Sequence, residues 1–208
     1  MLRLPIDHLR PVETQLNAAA QAIRDGRIVA FPTDTVYGLA ADPTSDAAVA
    51  GVFKAKQRPP DQPLPLIIAD LDQIATAGTL TALAARLAAG FWPGPLSIVI
   101  PASAQLSRAV HLGSGLVAVR VPNHETARAL ARAFGCAITA TSANVSGMPA
   151  ASNADEAAAR LANHIDVLVD DGPAPGGPPS TIVDATGSEP KLLRPGAIDW
   201  NRVLEFLH

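Results

Sequence analysis

Three cations crowd into five residues at Lys54-Ala55-Lys56-Gln57-Arg58, immediately before Pro59-Pro60. On a continuing helix Lys54 and Arg58 share one face at i and i+4, and charges that close repel unless water or an anion lies between them. A solvated helix end accounts for such a cluster, because cations favour the C-terminal pole of the helix dipole. Two features weigh against that reading for this segment. Of the sixteen basic residues only three are lysine, and the flanking residues are apolar enough to suggest partial burial. A compact ammonium beside a forked guanidinium suits a polyphosphate.

Arg120 stands in the apolar run Val117-Ala118-Val119-Arg120-Val121-Pro122. A guanidinium buried there is costly unless it meets a carboxylate, either the chain's own or a ligand's. Pro32-Thr33-Asp34-Thr35-Val36-Tyr37-Gly38-Leu39 follows the first central strand, so Thr35 and its neighbours either aim hydroxyls at a ligand or close a turn on their own backbone. Ser142 and Asn144 belong to a run of small polar groups after a buried strand, Thr139-Ala140-Thr141-Ser142-Ala143-Asn144-Val145-Ser146-Gly147. Such a run offers donors and acceptors with little bulk, as contacts to a nucleotide require, and a capped turn is the plainer alternative. Ser180 and Arg194 each mark the end of a short strand near the C-terminus and say little singly.

No Gly-x-x-x-x-Gly-Lys-[Ser/Thr] loop and no Gly-x-Gly-x-x-Gly turn is present, so nucleotide chemistry here needs a non-Walker site. His8, His111, His124, His164 and His208 lack metal-ligand spacing, and no Gly-x-Ser-x-Gly elbow marks a nucleophile. The lone Cys136 excludes an internal disulfide framework or a cysteine zinc cluster.

The elements that must position these groups alternate between helix and strand. Residues 13–25 read as an amphipathic helix stopped by Gly26, and 27–31 as a strand ended by Pro32. Asp46 is read as the cap of the next helix, and 64–69 as a strand with Pro65 at an edge or at its beginning. Asp70 and Thr79 open two Ala/Leu-rich helices. Residues 96–100 and 116–121 read as core strands, 125–134 as a helix, 137–140 as a strand, 155–162 as a helix and 167–169 as a strand. Short strands at 181–183 and 191–193 and a helix at 200–207 close the chain. The irregular alternation predicts an α/β domain with a mixed sheet.

With 208 residues, 48% hydrophobic and 17% charged, the chain can bury a substantial core, and 1–208 reads as one domain. The Pro/Gly-rich stretch 172–179 reads as a surface loop within it. A net charge of −3 argues against a surface that grips nucleic acid as a whole. No secretory signal and no membrane-length apolar run is visible, so a cytoplasmic protein without a membrane segment is expected.

From about residue 18 to 196, six segments resemble the YrdC/Sua5 family of threonylcarbamoyl-AMP synthases. They are the 32–39 segment, the Lys56-x-Arg58 and Ser142-x-Asn144 pairs, Val-Ala-Val-Arg-Val-Pro at 117–122, Ser-Thr-Ile-Val-Asp at 180–184, and Arg194-Pro195-Gly196. The resemblance implies a twisted mixed parallel and antiparallel sheet, flanked by helices, around a concave basic cavity. It also implies a nucleotidyltransferase that converts L-threonine, bicarbonate and ATP into L-threonylcarbamoyl-AMP, pyrophosphate and water. The product then serves t6A formation in tRNA by separate transferase proteins, and contact of this chain with tRNA is not required.

By motif position, Arg120 should hold the threonine carboxylate, with Thr35 and Ser180 on the rest of the amino acid. Lys56 and Arg58 should bind phosphate oxygens, with Lys54 a lesser candidate. Ser142 and Asn144 should meet the phosphate and the carbamoyl group, and Arg194 the nucleotide. Mg²⁺ is expected with ATP, with no protein ligand assigned. Many relatives carry histidine where this chain has Ile67, a position tied to a threonine contact, and Thr141 replaces a common proline. The C-terminal Sua5 domain of long members is not expected here. The alternative is a non-catalytic module binding double-stranded RNA or tRNA through the same cavity, which 4% aromatic residues support poorly. Hydrogenase-maturation relatives that handle carbamoyl-adenylate usually add zinc-finger and acylphosphatase segments, and this one-cysteine chain has neither.

Overall fold

A computed structural model describes residues 1–7, 12–57, 59, 62–161 and 163–208. In chain order its strands are β1 (Leu2–Pro5), β2 (Val29–Phe31), β3 (Gly38–Ala40), β4 (Leu66–Ile67), β5 (Leu96–Pro101), β6 (Leu116–Arg120), β7 (Ile138–Thr139), β8 (Thr141–Ser142), β9 (Val167–Asp170), β10 (Thr181–Asp184) and β11 (Lys191–Arg194). The helices are α1 (Glu13–Arg24), α2 (Asp46–Ala55), α3 (Ile74–Ala77), α4 (Ala82–Phe91), α5 (Arg108–His111), α6 (Glu125–Phe134), α7 (Ala154–Leu161) and α8 (Trp200–Leu207).

These strands form two mixed sheets, as the α/β reading anticipates. One runs β1-β9-β2-β3-β8, parallel as far as β2 and antiparallel beyond it. The other runs β11-β10-β5-β6-β4-β7, with β10 parallel to β5 and β4 parallel to β6. One core cluster packs Leu39 of the first sheet with Leu66, Ile98 and Val119 of the second and with Leu87 of α4. A second cluster sets α1 and α6 against Val29, Phe31, Ile67 and Ile138. Both sheets therefore share their apolar interior.

Several boundaries move for local reasons. Ser45, not Asp46, caps α2, its hydroxyl accepting from the Ala48 amide at 3.2 Å. Asp46 is freed to accept from the Ser107 hydroxyl at the start of α5. Thr81, not Thr79, caps α4, while Thr79 donates its amide to Pro101 O at 3.0 Å. Of residues 64–69 only β4 pairs as strand, and it lies inside its sheet between β6 and β7; Pro65 precedes it, where a missing N–H costs no ladder bond. The sequence reading missed β1, β3, β8 and α5. For β3, Gly38 looked like a loop glycine, yet its backbone crosses the Phe31 ring, where a Cβ would lie 3.2 Å from ring carbons.

Ile98 is fully buried at the centre of the six-stranded sheet. Ile98→Ala is expected to lower unfolding stability by about 3 kcal/mol, with the m-value unchanged in denaturant titration.

Candidate active site

A cavity of about 590 Å³, a volume within the range of small-molecule sites, opens over one face of the six-stranded sheet, lined by alternate residues of β5, β6 and β10 and bordered by β8 and the loop before β3. Thr35, Lys56, Arg120, Ser142, Asn144, Ser180 and Arg194 all line it. Lys54 does not. It is exposed and borders a separate recess with Gly51, His164 and Asp166. The solvated-end reading thus holds for Lys54 and fails for its neighbour two residues on. Arg58 lies outside the described residues.

Arg120 ends β6 and is only 6% exposed. Its charge is met by the chain itself: one guanidinium nitrogen pairs with Asp34, whose other carboxylate oxygen accepts from the Asn123 amide at 3.0 Å. The second terminal nitrogen has only long contacts, 3.4 Å to the Thr33 hydroxyl and 3.5 Å to that of Thr35. Bonds of that length are weak, so half of the guanidinium fork remains open to a better acceptor. Thr33 closes a turn by donating to Val36 O at 2.7 Å, while Thr35 lines the cavity.

Lys56 follows α2 directly and is 3% exposed, because its ammonium turns inward. It donates to Ser142 O at 2.5 Å, to Asn144 Oδ1 at 2.9 Å and to Asn144 O at 3.1 Å. Asn144 Oδ1 also accepts from the Ser142 hydroxyl at 2.6 Å, and its amide nitrogen donates to Val145 O at 3.0 Å and Met148 O at 2.5 Å. The helix end and the 142–148 turn are therefore tied together around one buried positive charge. Fixing the turn engages the donors of Lys56 and presents Ser142 to the cavity.

On the opposite wall Arg194 lies across Ser180. Its guanidinium donates to Ser180 O at 2.7 and 3.2 Å and to the Ser180 hydroxyl at 3.1 Å. Among the described residues no carboxylate pairs with it. Partial burial of the head, and then the nearby charge of Arg120, hold the Arg194 pKa below the usual guanidinium value. Gly196 permits this placement, since a Cβ there would lie 2.2 Å from Pro179 O and 2.6 Å from Ser180 C.

Beneath Ser180 is Ser97 of β5, 2% exposed, with its hydroxyl 2.9 Å from that of Ser180. The sequence reading passed over Ser97. The available signal was a lone hydroxyl inside the apolar run Leu96–Pro101. Ile67 packs with Ile138 and Leu130 in the α1–α6 core and does not line the cavity, although its register partner on β6 is Arg120.

The chain is similar to known proteins over most of its length. The Sua5/YciO/YrdC family model, described as "Telomere recombination", matches residues 21–196. The chain is similar to the threonylcarbamoyl-AMP synthase of Pyrococcus abyssi, at 42% identity over 187 residues, covering 89% of this chain and 55% of the relative. It is also similar to the putative threonylcarbamoyl-AMP synthase of Mycobacterium tuberculosis H37Rv, at 37% identity over 193 residues, 91% of this chain and 88% of that one. Among solved structures, that of P. abyssi Sua5 complexed with L-threonine superposes with a TM-score of 0.91 at 38% identity, over 99% of this chain and 60% of the other. The chain spans just over half the length of the archaeal relative.

Removing Asp34 would leave Arg120 buried without its partner. Asp34→Ala is expected to destabilise the fold by roughly 3–5 kcal/mol in denaturant unfolding, well beyond an ordinary surface substitution.

Proposed function

The chain belongs to the Sua5/YciO/YrdC family, and on that footing we propose that it is an L-threonylcarbamoyl-AMP synthase. The observation that carries this reading is the meeting of Lys56, Arg120 and Arg194 on one cavity with Thr35, Ser142 and Ser180 between them. The L-threonine held by the P. abyssi Sua5 structure lends it further support.

In the proposed reaction the amine of threonine takes up bicarbonate or CO₂ as a carbamate. A carbamate oxygen attacks the α-phosphorus of ATP, the bond to the β-phosphate oxygen breaks and pyrophosphate leaves. Overall, L-threonine, bicarbonate and ATP give L-threonylcarbamoyl-AMP, pyrophosphate and water. Phosphate, carboxylate and carbamate must be held side by side, so the chain's task is positioning and charge neutralisation, with no covalent intermediate on the protein.

Arg120 binds the threonine carboxylate through the nitrogen not taken by Asp34, and Thr35 and Ser180 complete the amino-acid site. Arg194, lacking a carboxylate partner, meets the nucleotide. Ser142 and Asn144 serve the phosphate and carbamoyl groups, with Lys56 fixing both and adding its charge beneath them. Arg58 takes a further phosphate contact by its place in the motif. Among the described residues no three His, Cys, Asp or Glu side chains cluster as a metal cage. Mg²⁺ brought by ATP would be held by the phosphates, and no step is assigned to it.

The product would pass to separate transferase proteins for t6A formation in tRNA. The proposed setting is the cytoplasm, and among the described residues no helix is long and apolar enough to cross a membrane.

Pyrophosphate release from ATP is expected to require both L-threonine and bicarbonate, and release that ignores threonine overturns the assignment. Arg120→Lys retains a cation for Asp34 but loses the second nitrogen. It is expected to raise the threonine KM roughly tenfold to a hundredfold while the ATP KM stays within about threefold. Equal losses for the two substrates would contradict the role given to Arg120.

A further inference from the structure

We propose that Ser97 is a positioning residue that turns Ser180 into an obligate hydrogen-bond donor toward an anionic oxygen in the cavity. The inference rests on the functional reading above and adds the group that sets the polarity of its amino-acid site. A hydroxyl has one proton and two acceptor positions. Arg194 donates to the Ser180 hydroxyl at 3.1 Å and, as a guanidinium, can only donate. Ser97 and Ser180 share one bond of 2.9 Å, the hydrogen bond of the Ser97 side chain among the described residues.

Two hydroxyl protons thus serve one bond, and the other must leave the pair. Both serines line the cavity, and Ser180 is the more exposed of the two, 9% against 2%, so the outward proton is assigned to Ser180. In that arrangement Ser97 donates to Ser180, both lone pairs of Ser180 are filled, and its proton points into the cavity. Accepting from a guanidinium polarises the Ser180 hydroxyl and strengthens the bond it offers. The matching ligand atom is an oxygen of the threonine carboxylate, shared with the open nitrogen of Arg120. An ammonium at that point would face a hydroxyl with no lone pair to give.

The test is L-threonine binding by calorimetry in wild type, Ser97→Ala, Ser97→Thr, Ser180→Ala and the double alanine variant, with thermal unfolding of each. Ser97→Ala is expected to weaken threonine about fivefold to tenfold, as for one hydrogen bond in a charge-assisted chain. Ser97→Thr, which restores the hydroxyl, is expected to stay within about twofold of wild type. In the Ser180→Ala background the same Ser97→Ala change is expected to cost less than about twofold, because Ser97 acts only through Ser180. Additive losses, an unaltered Ser97→Ala, or failure of threonine at 97 to restore binding would overturn the relay. Wild-type protein that does not bind L-threonine would overturn the functional reading itself, and the relay with it.

Discussion

A guanidinium inside an apolar strand tolerates few arrangements, and the geometry around Arg120 follows from that limit. Burial of the charge demands a carboxylate, and Asp34 supplies it from the loop after β2. The pair therefore clamps the end of the first sheet's β2–β3 connection onto the end of β6 in the second sheet. Because Asp34 takes only one side of the fork, the constraint that joins the sheets also leaves a directed donor at the cavity wall. In the proposed reading, structural pairing and ligand recognition are divided between two nitrogens of one side chain.

The other two cations are restrained by different means. Lys56 donates to carbonyl and amide oxygens of Ser142 and Asn144, and those bonds shape the 142–148 turn. Arg194 rests on Ser180 and lies close enough to Arg120 for the two charges to repel. A fold that keeps like charges together stores an unfavourable interaction that an anion relieves on binding. Short side chains between them, Thr35, Ser142 and Ser180, leave room for that anion.

Much of this was legible in the sequence, because strong periodicity and special residue types survive without coordinates. α6, α8 and the core strands fall at or within a residue of where apolar patterning put them. The demand of Arg120 for a carboxylate could be read from its strand alone, but Asp34 as the answer could not, since they lie 86 residues apart. The segment 54–58 illustrates the limit best. Lys54 and Lys56 look alike in sequence, and only the end of α2 at Ala55 decides that one faces solvent and the other the cavity. Ser97 escaped notice because a single hydroxyl in a buried strand has no pattern, and its meaning arises from the register that pairs β5 with β10.

The most direct test of the central claim is a crystal structure of the protein soaked with L-threonine and a non-hydrolysable ATP analogue. The account predicts the threonine carboxylate within hydrogen-bond distance of the Arg120 nitrogen that Asp34 leaves open, with the Asp34 pair intact and the phosphates between Ser142 and Arg194. Threonine seated elsewhere, or an Arg120 that must abandon Asp34 to reach it, would contradict it.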